Sequence, residues 1–359
     1  MKTPRPPIRV LISEDSPTSR DLLVHIFNSD PGMRVVDAVS NGEEAVEAVG
    51  RSNPNLVMMD VHMPKLDGFE ATRRIMSTRP VPIIIVSETL VDQVDATFQA
   101  IEAGALAFVR HPPGLGHPEY TAAAAELIML ARLMAEIKVV RRWARPAREK
   151  AITSAKDSAV NIAPADIRLI SVGASTGGPI VLQGILSALA PSLKVPLLIV
   201  QHIATGFTQG LADWLGQTCG LPVHVAADGE MVLPGHVYMA PEDFHMGIHR
   251  HGRITLVKGA PDHGLRPSVS HLFRSAAEAY GRNAVGVLLT GMGRDGAEEL
   301  KLMREKGAIT IAQDESSSVV HGMPGEAIRL DAARFVLSPE RIATLLIRLL
   351  ANESVGHDR

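Results

Sequence analysis

The chain has 359 residues, 46% hydrophobic and 21% charged, which suits about two packed domains of ordinary size. A formal net charge of -3 argues against a general nucleic-acid binder, and one cysteine, Cys219, excludes an internal disulfide framework and fits a reducing cytosol. MKTPRPPIRVLISED holds too short an apolar run for a signal peptide, and no stretch approaches the ~20 apolar residues of a membrane span, so a cytoplasmic protein is expected.

From about Ile8 to Ala135, short apolar runs rich in β-branched residues alternate with amphipathic stretches. The runs are IRVLIS, RVVDAVS, LVMMD, PIIIVS and ALAFVR; the stretches include TSRDLLVHIFNS and DGFEATRRIMST. This alternation predicts βαβ units and a parallel sheet covered by helices on both faces. Ligands of such sheets sit beyond the carboxyl ends of the strands. Those ends carry Glu14 and Asp15, then Asp60, then Ser87, then Arg110 and His111. Three carboxylates at one sheet edge repel one another unless a cation neutralises them. An all-oxygen set of this kind suits Mg²⁺. Asp60 is the candidate phosphate acceptor, because carboxylates form aspartyl-phosphates, and Ser87 is a candidate donor to that phosphate.

YTAAAAELIMLARLMAEIKVVRRWARPAREK begins as a strong helix former and turns basic over Lys138–Lys150. ITSAKDSAVNIAPAD, which follows, is small and polar with no periodicity. The expected organisation is a first domain over 1–139 and a helical, then flexible, linker over 140–166. A second domain covers 167–352, with a tail over 353–359. The basic run reads as a solvated helix end and tether, or as a docking surface for the other domain or an acidic partner.

The second domain repeats the alternation with RLISVG, VPLLIV, AVGVLLT and AITIA. FHMGIHRHGRITLVK alternates by two around a His-Gly turn and predicts a β-hairpin. The fold class is therefore α/β, with two doubly wound parallel-sheet domains, flavodoxin-like and then Rossmann-like with a hairpin. In ISVGASTGGP one hydroxyl, Ser175, lies among Gly173, Gly177 and Gly178. A phosphate loop is one reading, but neither G-x-x-x-x-G-K-[ST] nor G-x-G-x-x-G is present, and no Lys or Arg occurs from Gly173 to Leu193. Gly173 to Gly177 does fit G-x-S-x-G, the strand-to-helix turn that exposes a nucleophile. His202 follows the next apolar strand, and Asp295 lies in the glycine-rich loop after another. A serine nucleophile needs such a base and such an orienter, and the GMG loop offers backbone N–H groups for an oxyanion. Taken alone, His202 reads as a polar strand end and Asp295 as a cap for the helix GAEELKLMREK. His321 follows Asp295, so Ser175, Asp295 and His321 form an alternative triad in the order of α/β-hydrolases. A binding protein with no catalysis, regulated by the first domain, is a further alternative. His245, His249 and His251 share one strand face if the strand continues, but His251 falls in the turn, so the expectation is a polar hairpin rather than a metal cluster.

With DVHMPKLDG after Asp60, the acidic constellation resembles the receiver domain of two-component response regulators over 8–135. The resemblance implies Mg²⁺ at Glu14, Asp15 and Asp60, phosphorylation at Asp60, a switch hydroxyl at Ser87 and a rotating aromatic at Phe108. It departs at His111-Pro112, where the family carries Lys-Pro. A histidine supplies charge only when protonated, so a weaker or pH-sensitive phosphoryl response is expected. GASTGGP, LLIVQHI, LTGMGRDGAEEL and QDESSSVVHGMPGEAI resemble the catalytic domain of chemotaxis-type protein-glutamate methylesterases across about 168–350. That resemblance implies Ser175 as nucleophile, His202 as base, Asp295 as orienter and the Met292 amide in the oxyanion hole, with no cofactor at this site. It implies hydrolysis of glutamyl methyl esters on cytoplasmic chemoreceptor helices, with release of methanol, and deamidation of receptor glutamines. The implied phosphodonor is the histidine kinase of a chemosensory array, and the implied control is inhibition by the unphosphorylated receiver docking on the catalytic rim. Two positions depart from the family: Ser270 stands where RPSVD places an acid, and His321 stands where an apolar residue is usual.

Overall fold

All five apolar runs of the first half become strands: β1 (Ile8–Ser13), β2 (Met33–Val39), β3 (Leu56–Asp60), β4 (Ile83–Ser87) and β5 (Ala107–Arg110). They form one parallel sheet in the order β2-β1-β3-β4-β5. The computed structural model describes residues 6–87, 103–136, 166–203 and 206–351. The basic run Lys138–Lys150, the linker up to residue 165 and the tail over 353–359 lie outside the described residues. Contacts between Cα atoms divide the chain into two units, Met1–Glu149 and Lys150–Arg359.

In the first unit the helices α1 (Pro17–Asn28), α2 (Gly42–Ser52) and α3 (Gly68–Thr78) each begin behind a side-chain cap. Ser16, Asn41 and Asp67 accept from the N–H of Ser19, Glu44 and Glu70, which satisfies one orphan donor apiece. A fourth described helix, α4 (Tyr120–Ala135), buries Leu127, Ala131 and Met134. The strand order reverses at β1, between β2 and β3, and this switch point is where a doubly wound sheet opens a crevice. Ser13 of β1 pairs with Met59 of β3, so the residues that follow, Glu14 and Asp60, leave the sheet side by side.

The second unit is built on a seven-stranded parallel sheet. Its strands are β6 (Leu169–Ala174), β7 (Leu197–Gln201), β8 (Val223–Val225), β9 (Val237–Met239), β12 (Ala284–Leu288), β13 (Ile309–Gln313) and β14 (Phe335–Leu337), in the order β14-β13-β12-β6-β7-β9-β8. β6, β7, β12 and β13 are buried along their whole length, as expected of parallel strands covered on both faces. The helices are α5 (Gly178–Leu189), α6 (Thr208–Cys219), α7 (Val269–Tyr280), α8 (Ala297–Glu305), α9 (Met323–Arg329) and α10 (Pro339–Ala351). The expected hairpin forms from β10 (His245–Ile248) and β11 (Ile254–Val257) and packs on α7. The sequence reading did not name β8, β9 and β14, which are three residues each, too short for an alternation to register. No described helix is long and apolar enough to cross a membrane.

Candidate active site and acidic pocket

Ala174 at the end of β6 pairs with Gln201 at the end of β7, so Ser175 and His202 leave one sheet edge at neighbouring positions. The His202 N–H continues the ladder to the Ala174 carbonyl at 2.9 Å. β12 flanks β6 on the other side, and the loop beyond it brings Asp295 back over the same edge. His202 Nε2 lies 2.9 Å from Asp295 Oδ2, with the imidazole 11% and the carboxylate 1% exposed. A carboxylate only accepts, so Nε2 carries the proton and Nδ1 is left as the basic nitrogen. The Ser175 hydroxyl and the His202 ring are brought together by register but make no hydrogen bond to each other. Such bonds are often long in a free enzyme and tighten on substrate.

Asp295 is not the cap of the helix that follows it; α8 begins behind Gly296, at φ 82°. Its carboxylate sits instead on the N-terminus of α7. Oδ2 accepts from Val269 N at 2.7 Å and Oδ1 from Ser270 N at 3.0 Å. Burial pushes the Asp295 carboxyl up, but hydrogen bonds from His202 and Ser270, with the imidazole's charge, outweigh it and hold the group below the usual range. Ser270 is fully buried, and its Oγ accepts from Gly296 N at 3.0 Å.

The turn that carries Ser175 is held from several sides. Ser175 N donates to Thr290 O at 3.0 Å, Gly178 N to Ser175 O at 2.8 Å, and Thr290 Oγ1 to Thr176 O at 2.9 Å. Gly177 takes φ 80°, a left-handed conformation that side chains resist. Only glycine fits at 291, where a Cβ would stand 2.6 Å from Ser175 Cβ. The expectation that the whole GMG loop offers free N–H groups is corrected here: Gly291 N is taken by Val320 O at 2.9 Å. Met292 N makes no hydrogen bond among the described residues and remains available for an oxyanion.

In the first unit, one oxygen from each of Glu14, Asp15 and Asp60 lies within 4.8 Å of the others. Burial, then the charge of Glu14, pushes Asp60 up to about 7, against a bond from Val61 N to its Oδ1 at 2.7 Å. Three hard oxygen donors with that much mutual repulsion fit a divalent cation. His111 Nε2 reaches Glu14 Oε2 at 3.0 Å, so the residue in the lysine position faces a carboxylate of the pocket. Ser87 ends β4, where its carbonyl accepts from His111 N at 3.0 Å, and Phe108, paired with Ile85 across the strands, packs partly buried against the core.

Residues 10–115 match the response regulator receiver domain, and residues 170–346 match the CheB methylesterase domain. A protein-glutamate methylesterase/protein-glutamine glutaminase of Nitrosospira multiformis is 53% identical over 96% of this chain and 97% of its own. The chain belongs to the protein-glutamate methylesterase/protein-glutamine glutaminase family. Another member, numbered 4 in Geobacter metallireducens, is 50% identical over 95% of this chain and 99% of its own. The solved catalytic domain of Thermotoga maritima CheB methylesterase is 39% identical, covers 51% of this chain and 98% of its own, and has a TM-score of 0.49.

The oxygens of Asp295 are taken by His202, Val269 N and Ser270 N, and His321 makes no bond to them. His321 pairs its backbone with Gly291, and its Nε2 is buried without a partner among the described residues. His245 is buried, bonded to Ala260 O at 2.9 Å and stacked on His271, whereas His249 and His251 are exposed at the hairpin turn. Among the described residues the three do not gather as a metal site. Sequence reasoning missed Thr290 and Gln201, and left Ser270 without a role. A polar residue closing the apolar run LLIV was the available signal for Gln201.

Proposed function

We propose that this chain, a protein-glutamate methylesterase/protein-glutamine glutaminase with a receiver domain, acts through Ser175, His202 and Asp295 on chemoreceptor helices. The observation that carries the assignment of residues is the His202–Asp295 pair beside Ser175 on one sheet edge. Ser175 Oγ attacks the glutamyl ester carbonyl while His202 Nδ1 takes its proton. Asp295 holds the ring and offsets the charge of the imidazolium. The Met292 N–H meets the oxyanion, a contact worth roughly 10²–10³ in rate in comparable sites. Collapse returns the proton from His202 to the leaving methoxide, and methanol departs. Water, deprotonated by His202, then cleaves the acyl-serine and frees glutamate. For a glutamine the same sequence releases ammonia. No cofactor enters these steps.

The domains are read as a receiver over 1–139, a linker over 140–166 and a catalytic domain over 167–352, in a cytoplasmic protein. Asp60 is the phosphate acceptor, and Glu14, Asp15 and Asp60 would hold Mg²⁺, which supplies positive charge to the transferring phosphoryl group. Ser87, Phe108 and His111 form the switch. The phosphodonor is a histidine kinase of a chemosensory array, and the unphosphorylated receiver inhibits the hydrolase. The test measures methanol released from a chemoreceptor fragment bearing radiolabelled glutamyl methyl esters. Wild type should release it, faster with acetyl phosphate and Mg²⁺; Ser175→Ala should not, and Asp60→Ala should not respond to the donor. Release by Ser175→Ala would end the hydrolase reading.

A further inference from the structure

β7 runs through Leu197, Leu198, Ile199 and Val200, and then ends on a buried amide, Gln201. Positions of this burial usually hold aliphatic side chains. Gln201 Nε2 donates to the carbonyl of Ser175 and to that of His202, each at 2.8 Å. One amide group thus ties the residue bearing the hydroxyl to the residue bearing the imidazole. Its oxygen gains nothing in return: Gln201 Oε1 is buried with no hydrogen-bond partner among the described residues. A Cβ on Gly178 would lie 2.1 Å from that oxygen, so α5 starts flush against the amide and a side chain there would push the amide out of place.

The two donated bonds come with the cost of an orphaned acceptor. Ser175 O already accepts from Gly178 N at 2.8 Å. An orphaned buried acceptor is a net cost that an apolar side chain of similar size would remove. What the amide supplies is a fixed span between two loops. The ladder bond from His202 N to Ala174 O stops one residue short of Ser175.

We propose that Gln201 is a positioning residue: its amide braces the Ser175 turn against the His202 loop, so that hydroxyl and imidazole meet in the geometry that proton transfer needs. The side chains of Ser175 and His202 make no hydrogen bond to each other, so their alignment is set by the backbones that Gln201 joins. The inference rests on the hydrolase reading above. Its effect falls on turnover rather than on substrate binding, because the brace fixes the reacting groups relative to each other.

The experiment uses the full chain, with wild type, Gln201→Met, Gln201→Glu and Ser175→Ala. Methionine matches the length of glutamine without a donor; glutamate keeps the shape, but its carboxylate cannot donate to two carbonyls. Three quantities are read: methanol release from the methylated receptor fragment, the rate at which phenylmethylsulfonyl fluoride labels Ser175, and Tm. For Gln201→Met we expect turnover and labelling to fall about 10–100-fold, with KM within about twofold and Tm within ~5 °C of wild type. Turnover and labelling within about threefold of wild type would overturn the proposal. So would activity lost only with a Tm drop above ~10 °C, which marks a structural role. Should Gln201→Met not fold, Gln201→Glu decides: lost turnover at a native Tm supports the brace, and retained turnover or unfolding refutes it. Methanol release by Ser175→Ala is a separate result that removes the hydrolase reading itself.

Discussion

The N–H of Val269 points at Asp295 Oδ2 from 2.7 Å, the same oxygen that meets His202 Nε2 at 2.9 Å. The helix that begins at Val269 therefore anchors the carboxylate that holds the His202 imidazole. Its N-terminal amides are the orphan donors of α7, and a carboxylate is the group they favour. Asp295→Asn keeps the size but sets an amide where an acceptor is required. We expect kcat to fall roughly 10³–10⁴-fold through loss of tautomer control, and stability to fall by about 1–3 kcal/mol as Val269 N or Ser270 N loses its acceptor. Single-turnover methanol release and urea unfolding of the full chain measure the two separately.

Ser270 contributes to the same carboxylate, and its effect depends on pH. Asp295 is held below the ordinary carboxyl range. Its contribution to stability is therefore present above the unfolded value, about 4, and is lost as pH falls through the folded value. Ser270→Ala removes a donor from Asp295 and the acceptor of Gly296 N. At pH 7 the variant should be less stable by about 1 kcal/mol. The part of that gap owed to Asp295 should begin to close as pH falls below about 4, and it disappears only below the folded value of Asp295, where the carboxyl is protonated in both states. Paired thermal melts from about pH 3 to about pH 8 read the gap. A gap that grows toward acid would contradict the assignment.

Of the histidines that follow Ser175, His202 and His321 are the two candidate bases, and their bonding to Asp295 differs. His202→Gln should lower turnover by ~10³-fold or more, since no other base is bonded to Asp295. His321→Phe should stay within about threefold of wild type, because His321 Nε2 has no partner to lose. Steady-state kinetics on the same substrate distinguish them, and the reverse ranking would point to the other triad.

The acidic pocket offers a test on the receiver unit that needs no turnover. Asp60 is pushed up to about 7 by burial and by Glu14 and Asp15, so its folded value stands above its unfolded one. The folded state then binds the extra proton, and stability drops as pH rises from about 4 to 7. Asp60→Asn removes a partly screened charge that costs about 2 kcal/mol above pH ~7. The variant should melt higher than wild type at about pH 8 in EDTA, and the two should converge only near pH ~4. Added Mg²⁺ should raise the wild-type melt at pH 8 and leave Asp60→Asn nearly unmoved. A wild-type melt indifferent to both pH and Mg²⁺ would remove the cation site.

Ser175, His202, Asp60 and Glu14 were readable in the chain itself, because each directly follows an apolar run and a parallel sheet delivers strand ends to one edge. The same logic reached Asp295, seven residues beyond β12, only through its glycine-rich loop. Taken alone, Asp295 read as a cap for the helix next in sequence, whereas the fold sets it on α7, whose Val269 lies 26 residues upstream. Ser270 and Gln201 carried little signal, since a buried serine in a helix and a glutamine at a strand end look ordinary without knowing what faces them.

The order of apolar runs, glycines and strand-end polar residues determined by itself that two parallel sheets would form and which groups would crowd their edges, because side-chain period and turn chemistry are local properties. Only the tertiary structure decided which histidine takes Asp295, which helix N-terminus cradles it, and which amide ties Ser175 to His202. Those choices depend on strand register and helix placement, which bring together atoms that no local pattern relates.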